Sequence, residues 1–189
     1  MGPVDYIFCR AFLLFEDFMK KKKIIETLWA PWRMEYILSF KDEDKHPCIF
    51  CERFPKKNDK NNLILYRSTH SFVIMNRYPY NSGHLMIVPY KHTGNFQNLT
   101  KEENIELMEV LQLSQRVLVA SMKPQGFNIG MNLERVGGAG VDDHIHWHLV
   151  PRWNGDTNFM PVIGETKVIS EALEKTYDKL KLVFDKLGK

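Results

Sequence analysis

The chain has 189 residues and a formal net charge of +3, with 44% hydrophobic and 26% charged residues. These proportions are typical of a globular protein and exclude a disordered one, and the small charge argues against a polymeric nucleic acid as partner. The apolar runs fall short of the roughly 20 residues that a membrane span needs. Three cysteines are too few for a secreted disulfide framework, so we expect a cytoplasmic protein without a membrane partner.

An N-terminal extension is expected over residues 1–44, including an aromatic-rich arm, "LWAPWRMEYILSF", at residues 28–40. The first residues resemble a signal peptide only superficially, because Asp5 precedes the apolar part and the lysines follow it. We expect the main domain to cover residues 45–165 and a C-terminal helix, packed on the same domain, to cover residues 166–189.

Three strands are predicted from apolar and β-branched runs at residues 63–67, 71–75 and 84–89. A long helix should follow, because Thr100 and Glu103 have the spacing of a capping box. The positions expected near one face of this helix are Ile105, Met108, Leu111, Leu118 and Met122.

Two further strands are predicted at residues 127–133 and 144–150, separated by the flexible loop "ERVGGAG". From Lys167 onward the chain is expected to be helical, with a buried stripe formed by Ile169, Leu173, Tyr177, Leu180 and Phe184. The order strands, helix, strands, helix favours an α+β domain with an antiparallel sheet.

Histidines occupy every second position from His144 to His148, with Ile145 and Trp147 between them. Because side chains alternate along a strand, three imidazoles are expected on one face, about 6.6 Å apart, with the two apolar residues toward the core. Three interpretations stay open: exposed surface histidines, metal ligands, or a nucleophile whose neighbours donate to an anion. The preceding "GGAG" (residues 137–140) is by itself a hairpin turn, but glycines let backbone amides approach a phosphate, which favours the third interpretation.

Cys48 and Cys51 form a Cys-x-x-Cys pair, a spacing that recurs in tetrahedral zinc sites. Such a site needs two more ligands. Reduced free thiols are an alternative, and a redox pair is a less favoured one because no thioredoxin-like unit surrounds the motif.

Two stretches carry a family signature: "NRYPYNSGHLMIVPYKH" (residues 76–92) and "GFNIGMNLERVGGAGVDDHIHWHLVPRW" (residues 126–153). The chain resembles the histidine triad (HIT) superfamily of nucleotide hydrolases and transferases, whose pattern His-φ-His-φ-His-φ-φ-Pro-Arg (φ is apolar) matches residues 144–152. Residues 28–37 and 154–181 extend the likeness to its bacterial diadenosine tetraphosphate phosphorylase-like branch. This resemblance implies a HIT-like α+β fold, a homodimer, and an enzyme that cleaves the α-phosphate linkage of dinucleoside polyphosphates or related adenylated substrates.

The resemblance also implies catalytic roles for four histidines. In the family the middle histidine is the nucleophile, so His146 would form a nucleotidyl-histidine intermediate. His148 would donate to the phosphate or to the departing oxygen, and His84 would support the surroundings of the nucleophile. His144 completes the group, although as a zinc ligand it would orient its neighbour through the backbone instead of contacting phosphate.

Substrate contacts are implied in the same way. Ile74 would flank the base, Asn76 would bind the ribose hydroxyls, and Asn132 would contact phosphate or ribose. Relatives often carry Gln or Ser where this chain has Gly140 and Val141, so here the backbone amides around Gly138, Gly140 and Val141 would bind the phosphates. That departure leaves open whether water or inorganic phosphate completes the reaction.

A structural zinc ion is the last implication, held by Cys48, Cys51, His92 and His144 as in several HIT relatives. Two other functions remain possible from the sequence. One is a nucleotide-sensing module with negligible turnover, and the other is a metal-dependent enzyme that uses the histidine triad as ligands.

Overall fold

The computed structural model describes residues 47–157 and 171–188. The predictions for the aromatic arm and for Ile169 therefore lie outside the described residues. Within these ranges, no helix has the length and apolar character to cross a membrane.

Five strands of the described chain form one antiparallel sheet in the order β1-β2-β3-β5-β4. Their bounds are β1 (Ile64–Arg67), β2 (Ser71–Met75), β3 (Leu85–Pro89), β4 (Gly126–Met131) and β5 (Trp147–Arg152). Strands β2 and β3 are buried along their whole length and lie at the centre of the core. The predicted α+β fold with an antiparallel sheet is confirmed.

The helices with described bounds are α1 (Ile49–Arg53), α2 (Asp59–Asn62), α3 (Lys101–Met122) and α4 (Leu173–Leu187). The predicted capping box is present at the start of α3. Helix α4 packs on β1, where the Tyr177 hydroxyl donates to the Ile64 carbonyl oxygen at 2.9 Å and Phe184 stacks on Tyr66. The domain boundaries themselves stay predictions.

The buried face of α3 differs from the predicted one. It consists of Leu107, Val110, Leu111, Leu113, Ser114, Val117 and Leu118. Ile105 and Met108 are 50% and 38% exposed, so the prediction was wrong for these two residues. Ile105 precedes the buried Leu107 by two positions, about 200° around the helix, and therefore points to the opposite side.

The last strand also begins later than predicted, at Trp147 instead of His144. The segment before it is held from outside the ladder, because the Ile145 N–H donates to the Thr93 carbonyl oxygen at 2.8 Å. Ile145 is buried as expected and Trp147 is partly buried against the core. The prediction of a strand through all three histidines was wrong, since only His148 belongs to β5, while His144 and His146 are almost fully buried at its entrance.

Candidate active site and metal centre

His146 has one ring nitrogen committed to the backbone. Its Nδ1 lies 2.9 Å from the carbonyl oxygen of His144. A carbonyl oxygen only accepts, so Nδ1 carries the proton and Nε2 keeps its lone pair. The residue is 4% exposed, and burial lowers its pKa below the ordinary value, although the carbonyl contact opposes this. At neutral pH His146 is an uncharged imidazole with a free lone pair on Nε2.

His148 is fixed by another imidazole. Strands β3 and β5 pair Met86 with His148, which puts His84 on the same face of the sheet as His148. The Tyr80 backbone N–H donates to His84 Nδ1 at 3.1 Å, so the proton of neutral His84 is on Nε2. That Nε2 lies 2.9 Å from His148 Nδ1 and donates to it, which leaves the proton of His148 on its own Nε2.

The rings of His146 and His148 therefore differ in which group their Nε2 atoms offer, a lone pair on His146 and an N–H on His148. Burial, with a smaller contribution from His146, lowers the pKa of His148 to about 4, so this ring is neutral as well. The ring centroids of His146 and His148 are 4.8 Å apart. A nucleophilic lone pair thus lies next to an N–H donor.

The turn that carries Tyr80 is tied to the end of β5. The Asn81 side-chain amide donates to the Pro151 carbonyl oxygen at 3.1 Å and to Asp156 Oδ2 at 2.8 Å. Arg152 binds both oxygens of Asp156, at 2.6 and 2.8 Å, and holds the pKa of that carboxyl down at about 2. The hydrogen bond that sets the tautomer of His84 is therefore supported from a second strand.

A second cluster brings together Cys48, Cys51, His92 and His144, whose ligand atoms all lie within 4.8 Å of one another. The individual separations are 3.3 Å (Cys48 Sγ to His144 Nδ1), 3.4 Å (Cys51 Sγ to His92 Nδ1) and 3.2 Å (between the two Nδ1 atoms). Bonds of about 2.0–2.3 Å to a tetrahedral zinc ion require ligand separations of about 3.3–3.8 Å. The cluster is compatible with zinc.

The electrostatics of the cluster also fit a cation. Burial and the neighbouring Cys48 raise the pKa of Cys51 to about 11, so a thiolate here needs a positive charge to compensate it. The His144 Nε2–H donates to the Pro89 carbonyl oxygen at 2.9 Å, which leaves the Nδ1 lone pair for the cluster. Such a backbone acceptor is the usual partner of a metal-binding histidine.

His144 joins the two groups. Its ring belongs to the Cys/His cluster, whereas its carbonyl oxygen accepts the proton of His146. Phe50, which lies between the two cysteines in sequence, packs on the rings of both His144 and His146, with centroids 5.3 and 5.1 Å away. The cluster and the candidate nucleophile therefore share a carbonyl and an aromatic neighbour.

The predicted substrate residues surround the histidines less tightly. Ile74 is fully buried in β2, and the Asn76 amide nitrogen lies 3.4 Å from His84 Nδ1. The Asn132 amide donates to the Gly138 carbonyl oxygen at 3.2 Å and so helps to close the glycine loop. Gly138 has a φ of +87°, and Gly140 and Val141 are half-buried just before His144.

Several residues of the site have no signal in the sequence alone. Tyr80 and Asn81 belong to the family stretch at residues 76–92, which by itself assigns them no role, and Asp156 follows the last predicted strand. Pro89 contributes only its backbone carbonyl, for which no residue type is diagnostic. Phe50 is the exception that a closer reading can find, since an apolar residue inside a Cys-x-x-Cys pair has to pack somewhere near the ligands.

Comparisons with known proteins agree with this geometry. The family model for the HIT domain matches residues 57–155. The chain is 35% identical over 168 residues to the AP-4-A phosphorylase of Mycobacterium tuberculosis (strain CDC 1551 / Oshkosh), covering 86% of each chain. It is 30% identical over 91 residues to the bis(5'-adenosyl)-triphosphatase of Saccharomyces cerevisiae (strain YJM789), covering 48% of this chain and 44% of that protein.

A solved structure gives the same result for the fold. The Zn-bound histidine triad family protein from Mycobacterium smegmatis superposes with a TM-score of 0.60 at 25% identity, covering 75% of this chain and 95% of that chain. With relatives named as a phosphorylase and a triphosphatase, the prediction of an enzyme is confirmed. The chain belongs to the HIT domain family, as the family model and the long match to the mycobacterial phosphorylase show.

Proposed function

We propose that this protein cleaves the α-phosphate linkage of dinucleoside polyphosphates such as diadenosine tetraphosphate, or of related adenylated substrates, through a nucleotidyl-histidine intermediate on His146. The observation that carries the proposal is the pair of fixed tautomers, a lone pair on His146 Nε2 beside an N–H on His148 Nε2. The names of the mycobacterial and yeast relatives support a dinucleoside polyphosphate as substrate.

In the first step His146 Nε2 attacks the α-phosphorus. The bond from Nε2 to phosphorus forms, the bond to the bridging oxygen breaks, and the polyphosphate leaves with that oxygen and its electron pair. The imidazole becomes positively charged, and its Nδ1–H remains bonded to the His144 carbonyl oxygen. His148 donates a hydrogen bond to the phosphoryl or departing oxygen; its pKa of about 4 makes it a neutral donor, not a source of a proton.

In the second step an oxygen of water or of inorganic phosphate attacks the same phosphorus. The bond from phosphorus to Nε2 breaks and returns its electron pair to His146, and the proton of the attacking water or phosphate is lost to solvent. Asn76 would bind the ribose hydroxyls and Asn132 would contact phosphate or ribose, whereas Ile74 is fully buried and would support the base only from beneath the surface of the site. The backbone amides around Gly138, Gly140 and Val141 would bind phosphate oxygens, since glycine leaves the backbone accessible. Positioned N–H groups are expected to supply most of the rate acceleration in such a site.

A structural zinc ion on Cys48, Cys51, His92 and His144 is part of the proposal. Zinc would tie α1 to the segment that enters β5, and it would hold the His144 carbonyl against His146. The zinc-bound mycobacterial relative supports this assignment. His146 and His148 are not in the Cys/His cluster, which argues against an enzyme that uses the whole triad as metal ligands. A cytoplasmic homodimer remains the expected form.

Product analysis tests the proposed reaction. The protein is incubated with diadenosine tetraphosphate, with and without inorganic phosphate, and the nucleotides are separated. ADP plus ATP formed only with phosphate identifies a phosphorylase, whereas AMP plus ATP identifies a hydrolase. Rapid quenching should trap the nucleotide on His146. Recovery of the adduct on another side chain would refute the mechanism, and absence of product from every adenylated substrate would favour a nucleotide sensor.

A further inference from the structure

Asp143 lies beside the Cys/His cluster, in the position directly before His144. Its Oδ2 atom is 3.6 Å from His92 Nε2. On the other side of the same ring, His92 Nδ1 lies 3.4 Å from Cys51 Sγ and 3.2 Å from His144 Nδ1. The imidazole of His92 therefore stands between the cluster and a carboxylate.

This arrangement favours one tautomer of His92. A carboxylate only accepts hydrogen bonds, so it favours the proton on Nε2 and leaves the Nδ1 lone pair for the cluster. His144 uses the same two atoms in the same way, with the Pro89 carbonyl oxygen as its acceptor. The acceptor of His144 is a buried backbone group, whereas that of His92 is a charged side chain, in a pair whose members are 47% and 55% exposed. A shortening of about 0.5 Å turns this ion pair into a hydrogen bond.

The backbone holds the carboxylate next to the ring. The Ile145 N–H donates to the Thr93 carbonyl oxygen at 2.8 Å, which joins the two chain segments that carry the pair. Gly94 packs closely on the same segment, since an added Cβ would clash with the Asp142 carbonyl oxygen and lie 3.3 Å from Asp143 Cα. The proximity of carboxylate and imidazole is therefore a property of the fold and does not depend on the side chains alone.

The negative charge of Asp143 also acts on the cluster. Burial is the main cause of the raised pKa of Cys51, and both the neighbouring Cys48 and the charge of Asp143 raise it further. Two thiolates and a carboxylate in such proximity repel one another, so together they favour a divalent cation. Two thiolates and two neutral imidazoles already balance the charge of Zn²⁺, and Asp143 adds a further negative charge outside the ligands.

We propose that Asp143 is a positioning residue of the zinc site, which accepts a hydrogen bond from the His92 Nε2–H, orients that ring and strengthens its bond to the metal. The inference rests on the zinc ion of the proposed function. An outer carboxylate that binds a ligating histidine fixes its tautomer and makes the ring a stronger ligand. Asp142, the preceding residue, has a different partner, because its Oδ2 lies 3.2 Å from Arg135 Nε. Asp142 is therefore the matched control.

Zinc affinity, measured on the whole protein by competition with a chromogenic chelator, tests this. Loss of such an outer partner typically lowers metal affinity by roughly 10- to 100-fold. Because both side chains of the pair are partly exposed, we expect Asp143→Asn to weaken zinc binding about tenfold, at the lower end of that range. Asp142→Asn should keep the wild-type affinity. Asp143→Glu should retain most of it, since the carboxylate is preserved.

Ionic strength separates an effect of charge from a general structural one. The ratio of the zinc affinities of the wild-type protein and Asp143→Asn should shrink as the salt concentration rises from about 0.05 M to about 0.5 M, because salt screens exposed charges. Equal affinities of the two proteins would overturn the inference. So would a ratio that does not change with salt, or an equal loss in Asp142→Asn.

Failure of this inference is distinguishable from failure of the proposed function. A wild-type protein that binds no zinc would overturn the zinc site together with the role of Asp143. A wild-type protein that binds zinc as tightly as Asp143→Asn does would overturn the role of Asp143 alone. Turnover of diadenosine tetraphosphate by the wild-type protein decides the proposed reaction independently of both.

Discussion

Two pairs of histidines meet at this site, and they are held in different ways. His144 and His146 each donate a ring proton to a backbone carbonyl oxygen, of Pro89 and of His144 respectively. His84 and His148 bind each other through ring nitrogens, and a backbone N–H of the Tyr80 turn decides which ring donates.

The difference determines how firmly each tautomer is set. A carbonyl oxygen can only accept, so His146 must carry its proton on Nδ1, and a backbone group fixes that tautomer. An imidazole nitrogen can accept or donate, so the state of His148 depends on a partner that can itself change. The tautomer of His146, the proposed nucleophile, is therefore expected to be insensitive to changes in the Tyr80 turn, and that of His148, the proposed donor, is expected to be sensitive to them.

Removal of His146, the proposed nucleophile, should have the largest effect. We expect His146→Ala to lower kcat by roughly 10⁴–10⁶-fold, the scale seen when a covalent nucleophile is removed. Nucleotide binding should persist, because the groups proposed to bind ribose and phosphate are unchanged. Steady-state kinetics and calorimetry check both parts, and a variant with the wild-type rate would contradict the assignment.

Loss of a metal ligand should disturb the pair of His144 and His146 indirectly, because the proposed zinc ion holds the ring of His144. Cys51→Ser is expected to remove bound zinc and to lower the free energy of unfolding by roughly 4 kcal/mol, since loss of a metal is among the largest single-residue effects. Metal analysis and denaturant unfolding measure this. Cys9→Ser, which replaces the third cysteine of the chain, is the control and should keep the zinc. A Cys51→Ser protein that keeps its zinc would show that the Cys/His cluster is not the site.

Disruption of the pair of His84 and His148 should lower kcat by a smaller factor. His84→Ala leaves His148 Nδ1 without its donor, so the proton of His148 is no longer confined to Nε2. We expect a loss in kcat of about 10²-fold, as for one catalytic hydrogen-bond donor. Replacement of the exposed His70 by alanine is the matched control. If the rate of His84→Ala equals that of the control, the pair has no role in positioning His148.

Acid should lower the free energy of unfolding through His148 of this second pair, which is the smallest of the expected effects. The pKa of His148 falls from an ordinary 6.5 to about 4 in the folded protein, mainly through burial. Between these values the unfolded chain binds the additional proton, so stability is lost as the pH falls, by on the order of 2 kcal/mol at pH 5. Urea unfolding at pH 7 and pH 5 measures this loss. His148→Gln should reduce it, and an unchanged loss in that variant would assign the effect to other groups.

The sequence by itself predicted the central strands, the long helix and the cysteine pair. Capping residues, β-branched runs and turn clusters are local signals, so the central strands and α3 were predicted close to their observed bounds. The cysteine pair is likewise a local spacing. The family resemblance then supplied His92 and His144 as its partners, and the structure places the four side chains together.

Only the tertiary structure decided which proton each imidazole carries. His144 and His146 lie before β5 instead of in it, because contacts from Thr93 and Pro89 hold that segment outside the ladder. The relevant partners are backbone groups and turn residues far away in sequence, and these leave no mark in residue type or spacing. A tautomer depends on the nearest donor or acceptor in space, and that neighbour exists only once the chain has folded.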